Sequence, residues 1–359
     1  MLHEQAEGEG RLREFWNAPL ATKVFWLLQL GVALEFIGHG MAGLWRSPAW
    51  IPYYTFFGFS KEFAHSHLYY VTGTVDITLA CVMLIWPNRA VMVHMAFWGL
   101  FTAALRPMVG EGIWELVERG ANYGMPLALL LLAGWGTFSL RSWFGRVKPP
   151  ATFSVDLART LDWVMRASIA LLLIGHTGLG LTTHKAEWLK FFGWFGVSPA
   201  TVHAQHLSYW VAAFEIALAV AVLVKPARSL LLFVCVYKVG SELLRPLVGQ
   251  NNFQFIERAG DYVLPVALIC VRSWLAGHME RSVPSAGFTF RPAFASPAPA
   301  PAPAPLAFGT RPWADIANAA ANGNDHVNSG PNGTPTAVDP EVARAAAALT
   351  QRISARQAR

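Results

Sequence analysis

The sequence predicts an all-α integral membrane protein with about eight transmembrane helices, arranged as two parallel four-helix repeats and followed by a disordered C-terminal tail. Three observations lead to this fold class: the composition, the spacing of apolar runs and an internal duplication. Of the 359 residues, 54% are hydrophobic and only 14% are charged, and the chain contains 15 Trp and 23 Phe. This composition is too apolar for an ordinary soluble domain of that length.

Apolar runs follow one another along most of the chain. Each is close to the ~20 residues that a helix needs to cross a bilayer. The runs lack the period-two alternation of barrel strands, and lipid admits only helices or closed barrels, so helices are predicted. The runs cover residues 24–43, 68–86, 89–105, 122–138, 162–182, 207–224, 227–244 and 261–275.

The second half of the chain repeats motifs of the first half. Leu105–Gly110 recurs as Leu244–Gly249, and Ile37–His39 recurs as Ile174–His176. Since each repeat contains an even number of predicted helices, both copies enter the membrane from the same side, which makes this a parallel duplication. Further repeated positions are His67 with His206, Glu118-Arg119 with Glu257-Arg258, and Tyr123 with Tyr262.

Changes in composition divide the chain into five segments. They are a polar N-terminal segment (1–22), the first four-helix membrane repeat (23–140), a cytoplasmic linker (141–160), the second four-helix membrane repeat (161–276) and a Pro/Ala-rich tail (277–359). The tail is predicted to be disordered, because it cannot bury enough apolar surface to fold. Loop Lys and Arg are concentrated on one side, which predicts a multi-pass protein of the plasma (inner) membrane with both termini cytoplasmic.

The formal net charge of +6 is explained by this cytoplasmic anchoring. No basic cluster is interleaved with stacking aromatic residues, so nucleic acid is not a predicted partner. The predicted partners are the lipid bilayer and a membrane or redox protein. Cys81, Cys235 and Cys270 form no CxxC pair and are read as apolar packing residues.

The repeated polar residues all fall at the non-cytoplasmic end of the predicted bundle. The sequence favours an ion-pair network that holds the loop between the third and fourth helices of each repeat, because Arg matches carboxylates well. The alternative is a pocket for an anion or a quinone headgroup. This outer-face cluster consists of His39, His67, Arg106, Glu118, Arg119, Tyr123, His176, His206, Arg245, Glu257, Arg258 and Tyr262.

Histidines in this cluster raise the question of a metal or a haem iron, because imidazole is a common metal ligand. Histidines at a membrane interface more often form hydrogen bonds with the backbone or with carboxylates. His67 and His206 also lie at the predicted membrane edge, whereas the ligands of a haem lie well inside the bundle. The sequence therefore predicts no metal site, and it favours quinone over haem as a cofactor.

Ionisable residues also occur inside the predicted helices, where they are costly and indicate function. Asp76 and Glu215 lie about 13 Å of helix rise beyond His67 and His206 and face nearly the opposite way. The remaining intramembrane ionisable residues, which have no counterpart in the other repeat, are Glu35, Lys238 and Glu242. These differences predict that the two halves have diverged. The Lys-Glu pair either relays protons or neutralises itself.

An aromatic segment joins the first two helices of each repeat. The sequence favours a helix lying in the headgroup layer, where such residues concentrate. The alternative is an apolar lid over a lipophilic ligand such as a quinone. The segments contain Trp45, Trp50, Tyr53, Tyr54, Phe56, Phe57 and Phe59 in the first repeat and Trp188, Phe191, Phe192, Trp194 and Phe195 in the second.

The second helix of each repeat carries an acid followed by apolar and small residues, in Asp76–Ala80 and Glu215–Ala219. In this respect the module resembles the DoxX family of membrane proteins, and it occurs twice within residues 23–276. The resemblance implies a redox-associated membrane subunit, since members of that family are linked to quinone-reducing complexes and thiol redox partners. Only Asp76 and Glu215 carry over, because Ile-Gly-His replaces the Gly-x-x-Lys ending of the family's first helix.

Three functional hypotheses follow from the sequence. The first is a DoxX-like membrane subunit associated with quinone-linked or other redox chemistry. The second is a non-enzymatic transporter of a small molecule or lipid, and a third is a membrane scaffold that uses its cytoplasmic tail. Because no motif for hydrolysis, phosphoryl transfer or dinucleotide binding is present, the sequence leaves open whether the protein is an enzyme.

Overall fold

A computed structural model describes residues 16–182, 186–198 and 200–282, which form helices and connecting turns without a β-strand. Most of the predicted polar start and nearly all of the predicted disordered tail lie outside these residues. The helices are α1 (Leu20–Leu44), α2 (Ile51–Phe56), α3 (Lys61–Phe63), α4 (Tyr69–Ile85), α5 (Arg89–Met108), α6 (Ile113–Glu118), α7 (Gly120–Ala133), α8 (Leu140–Phe144), α9 (Val155–Thr182), α10 (Ala186–Trp194), α11 (Val202–Val224), α12 (Arg228–Leu247), α13 (Phe253–Glu257) and α14 (Ala259–Ser282).

The prediction of an all-helical protein is confirmed for the described residues. Within them, five helical segments are long and apolar enough to cross a membrane, as expected of a multi-pass membrane protein. These segments are Leu20–Leu44, Lys61–Ile85, Val155–Thr182, Val202–Val224 and Phe253–His278. The predicted count of eight spans stays a prediction, because α5, α7 and α12 are outside this set.

Helix boundaries differ from the apolar runs where polar residues cap a helix. The first long helix of the second half begins at Val155, ahead of the predicted 162, because Ser154 Oγ accepts a hydrogen bond from the Leu157 amide at 3.2 Å. Similarly, the helix predicted from residue 68 begins at Lys61, where Ser60 accepts from the Phe63 amide. The apolar runs leave out the polar residues that are favoured at a helix start, so they predict a start that is too late in the chain.

The first helix of each half packs against the fourth helix of the other half. Helix α1 lies along α4 and α14, and α9 lies along α11 and α7, so the central core is formed by α1, α7, α9 and α14. In contrast, α4 makes few contacts with α5, and α11 makes few with α12. Each half therefore has space between its second and third long helices.

Two glycines set how closely the halves approach each other. A Cβ atom on Gly38 would lie 2.2 Å from the backbone nitrogen of Glu257, and one on Gly175 would lie 2.1 Å from that of Glu118. Both distances are far below van der Waals contact, so only glycine fits. The repeated Ile-Gly-His motif thus brings each first helix onto the Glu-Arg motif of the opposite half.

The opposite end of the bundle is also closed by matching contacts. Gln29 Nε2 donates to the Met83 carbonyl oxygen at 2.8 Å, and Arg166 Nη1 donates to the Leu223 carbonyl oxygen at 3.1 Å. In both halves, a side chain of the first helix satisfies a free carbonyl at the C-terminus of the second. Arg166 also pairs with Asp162 at 2.7 Å.

Replacing either glycine by alanine should loosen the contact between the halves. We expect Gly38→Ala and Gly175→Ala each to lower the free energy of unfolding by about 1–3 kcal/mol, because the added methyl group meets backbone rather than a movable side chain. Unfolding of the purified protein in mixed micelles measures this effect. Gly277→Ala is the control, since no atom lies within 4 Å of its added Cβ; an equal loss in the control would refute the explanation.

Candidate functional site

Each half of the protein encloses a cavity with aromatic walls. The first cavity, of about 230 Å³, lies in the first half and is lined by residues that include His39, Trp50, Tyr53, Trp98, Arg106 and Glu257. The second cavity, of about 440 Å³, lies in the second half and is lined by residues that include His176, Trp188, Phe191, Tyr237, Glu242 and Arg245. The histidine and the arginine of the two cavities are residues that the sequence repeats.

A histidine-carboxylate pair lies beside each cavity. His39 Nδ1 is 2.7 Å from Asp76 Oδ2, and His176 Nδ1 is 3.2 Å from Glu215 Oε1. The histidines belong to the predicted outer-face cluster, and the acids belong to the separate group of predicted intramembrane residues. The structure joins them, because the acids face the first helix of their own half, which carries the histidine.

The aromatic segments cover these histidines. The Trp50 ring lies 4.6 Å from the His39 ring between centroids, and the Trp188 ring lies 5.4 Å from the His176 ring. Both tryptophans are buried, and neighbouring aromatic residues of the same segments line the cavities. The segments therefore form part of each cavity wall. Their predicted place in the headgroup layer and the alternative of a lid over a lipophilic ligand both stay predictions.

Arg106 lines the first cavity and contacts two carboxylates. Its Nη1 atom is 2.8 Å from Glu111 Oε2 and 3.4 Å from Glu115 Oε2, and the Tyr53 hydroxyl donates to Glu111 Oε1. Burial raises the pKa of Tyr53 above its ordinary value and that of Tyr54 to about 12. Both hydroxyls are therefore protonated at neutral pH and act as hydrogen-bond donors.

The same arginine holds the loop that follows α5, as the sequence predicted, although with different partners. Glu118 was the expected partner of Arg106, whereas the contacts are made by Glu111 and Glu115. In the second half, Arg245 contacts Gln250 Oε1 at 3.3 Å and Glu242 within its own helix. Matching backbone bonds run from the Glu111 amide to Arg106 and from the Gln250 amide to Arg245.

The repeated Glu-Arg motifs cross between the halves. Glu118 Oε1 accepts a hydrogen bond from Arg258 Nη1 at 2.8 Å and lies 3.1 Å from His176 Nε2. Reciprocally, Arg119 Nη1 lies 3.8 Å from Glu257 Oε1. Glu257 of the second half lines the first cavity, and Glu118 of the first half contacts the histidine of the second. The first cavity is thus lined in part by the opposite half, whereas the second cavity is lined by its own half, whose histidine contacts Glu118.

A buried lysine distinguishes the second half. Lys238 is 0% exposed, and its Nζ atom lies 3.2 Å from Glu242 Oε1, 3.3 Å from Asp261 Oδ2 and 3.2 Å from His176 Nδ1. The predicted pairing of Lys238 with Glu242 is present. Asp261 was missed, because an acid in the first turn of α14 matches a common helix-start signal.

Several predicted cluster residues take no part in the cavities. His67 is exposed and stacks on Phe63 at 4.9 Å between centroids, and His206 is also exposed. Tyr262 donates to the Phe255 carbonyl oxygen, while Tyr123 is partly buried and does not line the first cavity. Among residues 16–182, 186–198 and 200–282, no group of three or more His, Cys, Asp or Glu has the arrangement of a metal site.

Other cavity residues escaped the sequence reasoning altogether. Trp98 and Tyr237 occupy matching positions in the two halves and line the two cavities, and Asn122 of the first half matches Asp261. The residues of each matching pair are separated by the same number of positions as the repeated motifs, and this separation could have identified them. A search for identical residues does not find these pairs, because the residue type changes between the two copies.

Comparison of this chain with protein-family models, with curated protein sequences and with solved structures gave no match. The resemblance to the DoxX family therefore stays a prediction from Asp76, Glu215 and their neighbours. The site is accordingly interpreted from its own geometry.

The crossed pairs predict a measurable coupling between the halves. In a double-mutant cycle with Glu118→Gln and Arg258→Gln, we expect a coupling energy of about 2 kcal/mol in the free energy of unfolding, since both groups are buried. The control cycle uses Asp156 and Arg159, an exposed pair at 3.9 Å, which should show no measurable coupling. Additive effects at Glu118 and Arg258 would contradict the crossed pairing.

Proposed function

We propose that the chain is a multi-pass membrane protein with eight spans in two parallel repeats, and that each repeat binds a lipophilic molecule with a polar headgroup. The observation that carries this proposal is the pair of aromatic cavities at sequence-matched places, each with a histidine and an arginine. Ligand sites are typically concave, mostly apolar and furnished with a few convergent polar groups. Quinone is the ligand class that we propose for the second cavity.

The shape and surface of the third helices support eight spans. Helices α5 and α12 each have 20 residues, about 30 Å of rise, which is the thickness of the hydrocarbon core. The charges that lower the hydropathy of α12 are turned inward, because Lys238, Glu242 and Arg245 are buried. Large apolar side chains of α12 that do not line the cavity are exposed, as lipid contact requires; they include Leu232, Phe233 and Leu243.

The second cavity has the groups that a quinone headgroup needs. Phe191 and Phe192 supply flat apolar walls, and Arg245 offers hydrogen-bond donors, while the Tyr237 hydroxyl donates to Glu215 Oε1 at 2.9 Å. The fixed charges there are already paired, since Lys238 lies against Glu242 and Asp261. A neutral headgroup can therefore bind without leaving a buried charge unpaired.

In this role the protein is a subunit in quinone-linked redox chemistry. Reduction of a quinone to a quinol takes two electrons and two protons. The protons can pass through the His176 and Glu215 pair, which lies 3.2 Å apart beside the cavity. The electrons come from a membrane or redox protein partner, as the DoxX resemblance implies.

Transport of a small molecule or lipid is the second candidate, favoured by the carboxylates that α4 and α11 carry inside the bundle next to histidines. Transport requires that Asp76→Asn and Glu215→Gln reduce uptake of the solute into proteoliposomes. Unchanged uptake of every tested solute in both variants would argue against it. The scaffold hypothesis concerns a tail that lies outside the described residues.

Quinone binding is tested by titrating the purified protein with decylubiquinone while its tryptophan fluorescence is recorded. We expect saturable quenching in the wild type and a loss of affinity of about tenfold or more in Gly240→Leu, because this side chain would fill the second cavity. No atom lies within 4 Å of an added Cβ at Gly240, so the backbone tolerates the change. Tyr237→Phe should weaken binding less, because the hydroxyl that it removes donates to Glu215 and the aromatic ring in the cavity wall is kept.

Gly277→Leu is the matched control for this titration, because Gly277 is equally unobstructed and does not line the cavity. Absence of saturable quenching in the wild type, or equal affinity in Gly240→Leu, would reject the quinone site. A Soret band in the absorption spectrum of the same preparation would identify haem, contrary to the proposal.

The eight-span arrangement, with both termini cytoplasmic in the plasma membrane, is tested by cysteine labelling of intact cells. In a variant without native cysteines, Met108→Cys and Asn251→Cys should react with an impermeant maleimide, since eight spans place both outside. Lys61→Cys is the outer control and Lys148→Cys the cytoplasmic one; all four native residues are exposed. If the cysteines at positions 108 and 251 did not react with the maleimide while the cysteine at position 61 did, the result would favour five spans.

A further inference from the structure

The two cavities differ at three matched positions that lie close to the histidine. Gly99, Asn122 and Glu35 of the first half correspond to Lys238, Asp261 and Leu172 of the second half. In the second half, the Lys238 ammonium is fully buried and touches Glu242, Asp261 and His176. The protein itself thus provides a cation at that place.

In the first half, Gly99 stands at the position that matches Lys238, and the carboxyl group of Glu35 lines the same cavity. Glu35 is 4% exposed and lines the first cavity, and its Oε2 atom has no hydrogen-bond partner among the described residues. Gly99 also lines this cavity and extends no side chain into it. Arg119, the cation that faces Glu35, is already engaged by Glu115 and Glu257.

Glu35 has a side-chain hydrogen bond with Asn122, which leaves Oε2 as the oxygen without a partner. A buried carboxylate oxygen without a partner is costly in a membrane protein and indicates a functional role. The cavity that Glu35 lines has several aromatic rings in its walls, including those of Trp50, Tyr53 and Trp98, together with Arg106 and Arg119, which are held by glutamates. Such rings attract organic cations through their negative faces. A carboxylate enclosed by aromatic faces is the combination that recognises an alkylammonium group.

We infer that the first cavity binds the protonated amine of an amphiphile, whose ammonium group takes the place that Lys238 Nζ occupies in the second half. Glu35 pairs with this ammonium group, and the alkyl chain lies along the apolar residues Phe57 and Phe101, which also line the cavity. The inference rests on the proposed function, in which both cavities are ligand sites. It assigns them different ligands, a cation-headed amphiphile in the first and a quinone in the second.

A primary ammonium group can come from a free long-chain amine or from the ethanolamine headgroup of a membrane phospholipid. The recognition chemistry is the same in both cases. The probes are therefore n-dodecylamine and lysophosphatidylethanolamine, with n-dodecanol as the uncharged analogue of equal chain length. At pH 7 the amine is protonated, as its pKa resembles that of a lysine side chain, about 10.4.

The experiment titrates the purified full-length protein in non-ionic detergent with each probe. We expect n-dodecylamine to bind about tenfold or more tightly than n-dodecanol, and Glu35→Gln to remove most of this difference, since it abolishes the charge pair. Gly99→Lys should prevent amine binding by filling the site with a tethered ammonium group. Gly277→Lys is the control and should retain amine binding, because no atom lies within 4 Å of its added Cβ and Gly277 lines neither cavity.

Binding of decylubiquinone to the second cavity is measured in every variant as an independent check of folding. Equal affinity for amine and alcohol, or amine binding unaffected by Glu35→Gln in a variant that still binds quinone, would overturn the inference and leave the proposed function intact. If no probe and no quinone binds to the wild type, the proposed function itself fails. Binding dependent on Glu35 supports the inference, and the tighter probe identifies the source of the amine.

Discussion

The exchange of Glu-Arg motifs between the halves is the interaction on which the rest of the structure depends. Glu118 reaches Arg258 and His176 of the second half, while Glu257 reaches Arg119 of the first. In surroundings of low dielectric, each buried charge needs its partner, and removing one leaves the other uncompensated. Gly38 and Gly175 allow the backbones to come close enough for this exchange. The cavities, their histidines and the packing of the central helices all follow from it.

The sequence was sufficient for the helical class and for the residues that recur in both halves. A run of apolar residues indicates burial or lipid contact. A polar residue that recurs in both halves, such as His39 or Arg106, can be recognised even when its contact partner is unknown. The placement of helix ends was less accurate, because residues such as Ser154 and Asp156 are typical of both loops and helix starts. These features are local, so they can be predicted from a short stretch of chain.

The partners of the polar residues could not be predicted, because they depend on how helices from opposite halves meet. Nothing in the sequence around Glu118 distinguishes a bond to Arg106 from one to Arg258. The mean hydropathy of α12 also does not tell which way its charged side chains point. In the structure, Lys238 and Glu242 face the protein interior. The pairing of His39 with Asp76 depends on the rotation of α1 relative to α4, which apolar periodicity leaves unspecified when a helix is apolar on most sides.

The reciprocal exchange of Glu-Arg contacts also bears on how the halves could have diverged. If a single repeat had once paired with a second copy of itself, the two partners would have exchanged the same glutamate and arginine, as a twofold interface requires. Any change near one cavity would then have appeared in the other. Joining the copies in one chain removes that restriction, so Glu35 can exist without a counterpart at Leu172, and Lys238 without one at Gly99. A single chain that carries both halves keeps their mutual dependence, while the residues beside each cavity can differ.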